Sequence, residues 1–195
     1  MDKGNYLTSI LRSNKTVFSS KDIALLWRDP GTSATRVRLH YYIEKGDLYR
    51  IRKGLYAKDR DYNRLELATR IFTPSYVSFE TVLAKEGLIF QYYDKIYVVS
   101  YLNREIVVDG QTYSYRKMKT KALVDPLGVD HKNETSVATK ERAFLDTLYV
   151  NADYQFDNLR TLNWEKVFEI LPVYNNQRMA RKVNSYYKNL NDKTS

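Results

Sequence analysis

The chain has 195 residues, which is enough for one ordinary domain or two small ones. It contains no cysteine, so disulfides, thiolate metal sites and cysteine nucleophiles are excluded. The first residues lack the apolar run of a signal peptide, and no stretch reaches the roughly 18 uncharged apolar residues of a membrane span. We therefore expect a cytoplasmic protein that does not enter a membrane.

The positive charge of the chain is unevenly distributed. The net charge is +9, and residues 1–60 hold thirteen Lys or Arg against six Asp or Glu, a balance of +7. Residues 61–195 hold nineteen against seventeen, a balance of only +2. A local positive field is typical of nucleic-acid-binding domains. The pattern predicts a basic domain over residues 1–60 and a second domain over residues 61–195.

The first domain is predicted to contain three helices and a hairpin. Apolar residues at helical spacing predict a helix over 3–13, and Ser19 with Ser20 can cap a second helix that continues through Trp27. Residues 29–32 have the composition of a turn. A third helix is expected from Ser33 to Lys45, followed by a hairpin over residues 48–57. This order indicates a winged helix-turn-helix that binds double-stranded DNA.

The third helix and the hairpin supply the predicted DNA contacts. Leu39, Tyr42 and Ile43 form the expected inner face of that helix. The opposite face is assigned to Ser33, Val37, Arg38, Tyr41 and Lys45, with Arg36 and His40 at its flanks. The predicted DNA-binding residues are Ser33, Arg36, Val37, Arg38, Tyr41 and Lys45 on the helix, and Arg50, Arg52 and Lys53 on the hairpin. Arg38 is the predicted reader of guanine, and Val37 is placed to contact a thymine methyl group. Arg36 and Lys45 are expected to bind phosphates.

The second domain is predicted to be a mixed α/β domain in which helices pack on a small sheet, so that the fold class of the chain is α+β. Apolar stripes and capping residues predict helices over 65–72, 78–87, 139–148, 164–171 and 179–190, and strands over 96–100, 104–108 and 112–118. Ser78 and Thr139 are the expected caps of two of these helices. Asp109-Gly110 is a strong hairpin signal. Asp146 lies mid-helix among apolar neighbours, so we expect it to form a structural hydrogen bond or an ion pair.

The sequence favours a protein that is not an enzyme and that needs no cofactor or metal. His40 and His131 do not stand at metal-ligand spacing with other ligands, and we find neither a glycine-rich phosphate loop nor a nucleophile elbow. Asp125 and Asp130 fit turn positions better than a carboxylate cluster.

Two further basic groups lie in the second domain, over residues 116–121 and 178–188. The simpler interpretation of both is a solvated surface. Contacts with the DNA backbone, or with an acidic surface of a partner protein, remain the alternatives.

Three stretches of the sequence resemble AbiEi-type antitoxins, the regulators of type IV, abortive-infection toxin–antitoxin systems. They cover residues 38–56, residues 74–89 and residues 138–146, and they occur in the family's order. The chain departs from the pattern at Lys140, where the family often has proline at the start of a helix. That position requires only a helix-forming residue, so the departure weakens the resemblance little.

The resemblance implies an N-terminal winged helix that represses its own operon by binding inverted repeats in the promoter. It also implies a C-terminal domain that counteracts an AbiEii-like nucleotidyltransferase toxin, by a contact that could be direct or indirect. We expect a monomer in solution that places two copies on the DNA. The alternatives are a winged-helix protein-interaction module and a general transcriptional regulator without a toxin partner.

Overall fold

The computed structural model describes residues 3–29 and 33–192, and its fold is α+β, as predicted, with helices and a mixed sheet. The chain divides into two compact units, one that ends at Ile71 and one that begins at Phe72. Among the described helices, none combines the length and the apolar character needed to cross a membrane.

The first unit alternates helices with a small antiparallel sheet. Its elements are α1 (Lys3–Leu11), β1 (Val17–Ser19), α2 (Ser20–Leu26), α3 (Ser33–Glu44), β2 (Tyr49–Arg52), β3 (Leu55–Ala57) and α4 (Arg64–Ile71). The strand order is β1-β3-β2. The predicted helices and hairpin are confirmed, whereas β1 was not predicted because three residues are too few for an alternating pattern. Most of the turn predicted over residues 29–32 lies outside the described residues.

The core of the first unit is built around Trp27. Its indole Nε1 donates a hydrogen bond to the Tyr6 carbonyl oxygen at 2.9 Å, so its polar atom is satisfied although the side chain is buried. The ring meets those of Tyr6 and Tyr42 edge-on, with centroids 5.4 and 6.1 Å away. Leu39 and Tyr42 of α3 belong to this core, and Ile43 is partly buried against it. The predicted inner face of α3 is therefore confirmed.

A polar network attaches α4 to the rest of the first unit. Glu66 is 1% exposed and accepts hydrogen bonds from the backbone N–H and the hydroxyl of Thr16, at 2.9 and 2.6 Å. Arg70 pairs with Glu66 at 3.0 Å and with Asp22 at 3.1 Å. The first unit therefore extends past the predicted boundary at residue 60. Partners some 50 residues apart in the chain leave no local pattern from which the sequence could have placed α4 here.

The start of α2 has the predicted cap. The Ser19 hydroxyl accepts from the Asp22 backbone N–H, and the Asp22 carboxylate accepts from the Ser19 backbone N–H, which together form a capping box. Burial opposes ionisation of Asp22, but hydrogen bonds from Lys15 and Ser19 and the charge of Arg70 outweigh it and lower the pKa of this carboxyl. The same carboxylate thus caps a helix and holds two cations.

The second unit contains a six-stranded mixed sheet. Its elements are β4 (Ser75–Val77), α5 (Glu80–Lys85), β5 (Lys95–Ser100), β6 (Arg104–Val108), β7 (Gln111–Lys117), α6 (Thr120–Val124), β8 (Val129–Lys132), β9 (Thr135–Ala138), α7 (Lys140–Val150), α8 (Trp164–Ile170), a 3-10 helix (Leu171–Tyr174) and α9 (Gln177–Asp192). The strand order is β6-β7-β5-β4-β9-β8. β4 runs parallel to β9, and β5 runs parallel to β7, whereas the other neighbours are antiparallel.

Local turn and cap signals in this unit predicted some elements correctly and others not. Asp109 and Gly110 have φ angles of 47° and 77°, as the predicted hairpin turn requires, and Thr139 caps α7. The β8–β9 hairpin, β4 and α6 were not predicted. The prediction that Ser78 caps a helix is wrong. α5 begins after Phe79 without a side-chain cap, and the Ser78 hydroxyl instead donates to Asp146 at 2.7 Å.

The centre of the second unit is a buried ion pair between Arg142 and Asp146, one turn apart on α7. Both side chains are 0% exposed, and the Arg142 Nε lies 3.3 Å from an Asp146 carboxylate oxygen. Asp146 also accepts hydrogen bonds from the hydroxyls of Ser78, Tyr76 and Tyr174, at 2.7, 3.1 and 2.6 Å. Burial and the neighbouring carboxylate raise the pKa of both tyrosines well above its usual value, so they remain hydroxyl donors. The structural role expected for Asp146 is confirmed.

Replacing Asp146 with Asn should lower the free energy of unfolding of the second unit by about 3–5 kcal/mol, because the Arg142 charge would stay buried without a counter-charge. Amide hydrogen exchange over residues 72–192 measures this loss for the second unit alone. Asp153→Asn is the matched control, since that carboxylate is 86% exposed and pairs with Lys182 at the surface. Its exchange pattern should change little. Equal losses in the two variants would contradict a central role for the buried pair.

Candidate nucleic-acid interface

The outer face of α3 is the most prominent polar surface of the first unit. Thr35, Leu39 and Tyr42 are buried, so the helical period turns the opposite side toward solvent. Val37 is 70% exposed and Tyr41 is 51% exposed, both large values for apolar or aromatic side chains. The exposed residues of this face, including Lys45 just after the helix, are Ser33, Arg36, Val37, His40, Tyr41, Glu44 and Lys45.

The end of α3 fixes where the following hairpin lies. Gly46 adopts a φ of 77°, and the backbone N–H groups of Asp47 and Leu48 donate to the Tyr42 carbonyl at 2.9 and 3.2 Å. The helix therefore stops abruptly, and Leu48 returns to the core. The hairpin tip is held from its other side, since the Ser20 backbone N–H donates to the Gly54 carbonyl at 3.2 Å.

The hairpin presents its cations to solvent. Ile51 is 8% exposed, and the alternation of the strand leaves Arg50 and Arg52 on the outside. Between them the pairing with β3 shifts register, and Lys53 follows in the exposed turn. Bulges of this kind re-aim side chains at the end of a strand. All three predicted hairpin contacts are thus accessible.

A groove of about 540 Å³ separates α3 from the hairpin. Arg36 and His40 line it from the helix, and Arg50 and Lys53 line it from the hairpin. Among the described residues that line this groove, none carries a carboxylate. Cations from two different elements thus face one concave surface, which is the arrangement that binds a phosphate backbone. We call this surface the α3–hairpin groove.

Arg38 departs from its predicted position on the outer face. Its guanidinium carbon lies 3.7 Å from the centroid of the Tyr6 ring, and its Nη1 lies 3.5 Å from an Asp29 carboxylate oxygen. The side chain is only 27% exposed. Arg38 stands on the α1 side of the helix, where it covers the edge of the core rather than facing outward. Its predicted role as a free guanine reader is inconsistent with these contacts.

A second hollow, of about 470 Å³, lies on the α1 side of α3. It is bordered by Tyr6, Val37, Arg38, Tyr41, Tyr42, Lys45 and Asp47. The Lys45 ammonium lies 4.6 Å from the centroid of the Tyr41 ring, and a hydrogen bond with the Tyr41 hydroxyl raises the pKa of this lysine. Lys45 therefore keeps its charge at neutral pH. Aromatic and cationic side chains alternate along this edge of the helix.

The nine predicted DNA-binding residues fall into three groups according to where the structure places them. Arg36, Arg50 and Lys53 meet at the α3–hairpin groove, whereas Val37, Arg38, Tyr41 and Lys45 border the second hollow. Ser33 and Arg52 are exposed but line neither surface. His40 is not among the nine predicted residues, although it lies one turn beyond Arg36. Centring the inner face on Thr35, Leu39 and Tyr42 instead of on Leu39, Tyr42 and Ile43 would have identified it.

The two further basic groups are partly committed to ion pairs within the second unit. Arg116 pairs with the buried Glu80 at 2.8 Å and lies over the Tyr97 ring, 4.4 Å from its centroid. Lys182 pairs with Asp153 at 3.0 Å. The remaining members of the two groups are exposed: Lys117, Lys119, Lys121, Arg178, Arg181 and Lys188. Within the described part of the chain, no group of three or more His, Asp or Glu side chains could hold a metal ion.

Comparison with known proteins gave no family assignment for this chain. Neither the models of known protein families nor the sequences of curated proteins match it. The function must therefore be argued from the geometry of the first unit and from the three sequence stretches that resemble an antitoxin family.

Arg36 and Arg38, two residues apart on α3, should respond differently to the loss of charge. Arg38→Met should lower the stability of the first unit by about 1–2 kcal/mol, because the guanidinium contacts with Tyr6 and Asp29 are lost. Arg36→Met should change it by no more than about 0.5 kcal/mol. Urea unfolding followed by Trp27 fluorescence, in a Trp164→Phe background, measures both. Similar losses in the two variants would contradict a structural role specific to Arg38.

Proposed function

We propose that the first unit is a winged helix-turn-helix that binds double-stranded DNA. The order α1-β1-α2-α3-β2-β3 and the antiparallel strand order β1-β3-β2 support this assignment. α3 then occupies the place of the recognition helix, with a core-facing side and a polar outer side, as entry into a major groove requires. The β2–β3 hairpin occupies the place of the wing.

The observation that carries the proposal is the convergence of Arg36, Arg50 and Lys53 on the α3–hairpin groove. These cations come from two elements that would bracket one DNA strand, so they can hold successive phosphates and set the register of the protein. The +7 balance of residues 1–60 is unchanged when the unit is extended to Ile71, since residues 61–71 add two cations and two acids. The positive field is thus a property of the whole first unit.

The other accessible residues complete the proposed interface. Arg52 and Lys45 are exposed cations at either end of the surface and suit phosphate contacts. Ser33, Val37 and Tyr41 lie on the outer face, where Val37 can meet a thymine methyl group and the two hydroxyls can bond to base edges or phosphates. Arg38 is left out of the proposed interface because of its contacts with Tyr6 and Asp29.

Binding to a duplex that carries the chain's own promoter should weaken steeply with salt. Changing Arg36, Arg50 and Lys53 together to Ala should reduce the slope of log K against log salt by about 2–3, since each lost phosphate contact removes roughly 0.9. Electrophoretic shift across a salt series measures the slope. The control variant changes three exposed lysines of the second unit, Lys85, Lys132 and Lys166, and should keep the original slope. Binding by the unchanged protein that ignores salt would overturn the proposal and favour a winged helix that contacts protein.

We further propose that the chain is an autorepressor and antitoxin of a type IV system, with toxin counteraction in the second unit. Support comes from the ordered resemblance and from what two of its stretches do in the fold. Tyr76 and Ser78 of one stretch and Arg142 and Asp146 of another meet in the same buried network. The residues that carry the resemblance in the second unit thus belong to its buried centre. The charge balance of the second unit, +2, fits a protein partner, a nucleotidyltransferase toxin, better than it fits DNA.

Coexpression with a nucleotidyltransferase encoded beside this chain should restore growth that the toxin alone arrests. The Arg36, Arg50 and Lys53 triple Ala variant should lose repression of a promoter reporter but keep growth rescue, because its second unit is unchanged. The two readouts therefore separate the two proposed activities. Failure of the unchanged protein to rescue growth would overturn the antitoxin proposal and leave the DNA-binding proposal standing.

A further inference from the structure

His40 occupies the place on α3 that the sequence predicted for Arg38. The His40 side chain is 74% exposed, against 27% for Arg38. We infer that His40 contributes base specificity to α3 by reading a base that presents an amino group in the major groove, adenine or cytosine. This inference rests on the proposed binding of DNA by the first unit and adds to it the chemistry of recognition.

The position of His40 suits contact with base edges. On a helix, residues 33, 37, 40 and 44 share one line, and this line lies opposite the buried side chains of Thr35, Leu39 and Tyr42. His40 also borders the α3–hairpin groove beside Arg36, with Arg50 and Lys53 across the groove. Phosphates held by those three cations would leave the neighbouring base edges in front of His40. Specific binding requires cations that hold the DNA phosphates and, separately, a side chain that contacts a base edge. This surface offers both.

The neighbour of His40 adds a second acceptor to this part of the helix. The Glu44 Oε1 lies 3.9 Å from the His40 Nδ1, one turn further along the helix, and the two groups are not hydrogen-bonded. A neutral imidazole offers one accepting nitrogen in either tautomer, and a carboxylate only accepts. In the major groove, adenine N6 and cytosine N4 are the donors, whereas guanine N7 and O6 are acceptors. The accepting ring nitrogen and the Glu44 carboxylate therefore both favour a base with an amino group in the major groove, and the carboxylate disfavours the edge of guanine.

This recognition differs from the one expected of an arginine at the same place. A guanidinium has five donors and no acceptor, so it selects guanine. Arg36, Arg50 and Lys53 likewise only donate. His40 and Glu44 thus supply acceptors beside three cations that only donate, and one base pair of the bound site should show a preference that depends on them.

The experiment begins by selecting duplexes from a randomised library with the unchanged protein. Affinities are then measured for the selected duplex and for its single base-pair substitutions, with the unchanged protein and with His40→Ala. We expect one adenine or cytosine position at which the unchanged protein discriminates by roughly threefold to tenfold, the worth of one hydrogen bond, and at which His40→Ala does not. Replacing that base by an analogue without its amino group should weaken the unchanged protein alone.

Two matched variants make the outcome decisive. Arg36→Ala should weaken binding to all duplexes alike and keep the base preferences, because phosphate contacts carry no sequence information. Arg38→Gln should also keep them. If His40→Ala keeps every preference, or if the lost preference is for guanine, the inference is overturned while DNA binding stands. If the library yields no duplex that the unchanged protein binds in a salt-dependent way, the proposed function itself fails.

Discussion

The second unit depends on one buried ion pair. Arg142 and Asp146 are wholly inaccessible, so neither charge could be tolerated without the other. Asp146 draws in hydroxyls from Tyr76 on β4, from Ser78 just beyond it and from Tyr174 in the 3-10 helix. The Arg142 guanidinium also donates to carbonyl groups of α6 and of the loop that follows it. Elements from most of the length of the unit thus meet at a single charged centre on α7. Apolar side chains pack around this centre.

The first unit is under a different constraint, because it carries an excess of positive charge whose mutual repulsion opposes folding. It pairs some cations inward: Arg70 with Glu66 and Asp22, and Arg38 with Asp29 over the Tyr6 ring. Arg36 on α3 and Arg50, Arg52 and Lys53 on the hairpin stay exposed to solvent, where repulsion between them costs little. Arg38 and Arg70 thus help to hold the unit together, whereas the side chains of Arg36, Arg50 and Arg52 remain accessible.

Signals that act within a few residues allowed much of the fold to be predicted. The helix cap at Ser19, the Asp109 turn and the inner face of α3 are present in the structure as expected, because each depends only on neighbours in the chain. What could not be predicted depends on distant partners. β1 and β4 are three residues long and exist because other strands pair with them. Ser78 looked like a helix cap, but a buried carboxylate 68 residues away was the stronger partner for its hydroxyl. Arg38 was misplaced because the inner face was centred on Leu39, Tyr42 and Ile43 rather than on Thr35, Leu39 and Tyr42, and its contact with the ring of Tyr6 on another helix left no local pattern.

Many of the residues that resemble the antitoxin family are buried in this structure. The two stretches of the second unit that resemble antitoxins contribute side chains to a buried network, and the stretch over residues 38–56 contributes Tyr42, Leu48 and Ile51 to the interior of the first unit. Shared residues of this kind specify a fold, and a fold can serve more than one partner. The identity of the partner depends instead on exposed side chains such as His40, Glu44 and Arg50. These side chains can change without disturbing the packing of the core. For this chain the buried residues account for the two folded units, and the exposed side chains of α3 and the hairpin are the ones whose variation would test the proposed binding of DNA.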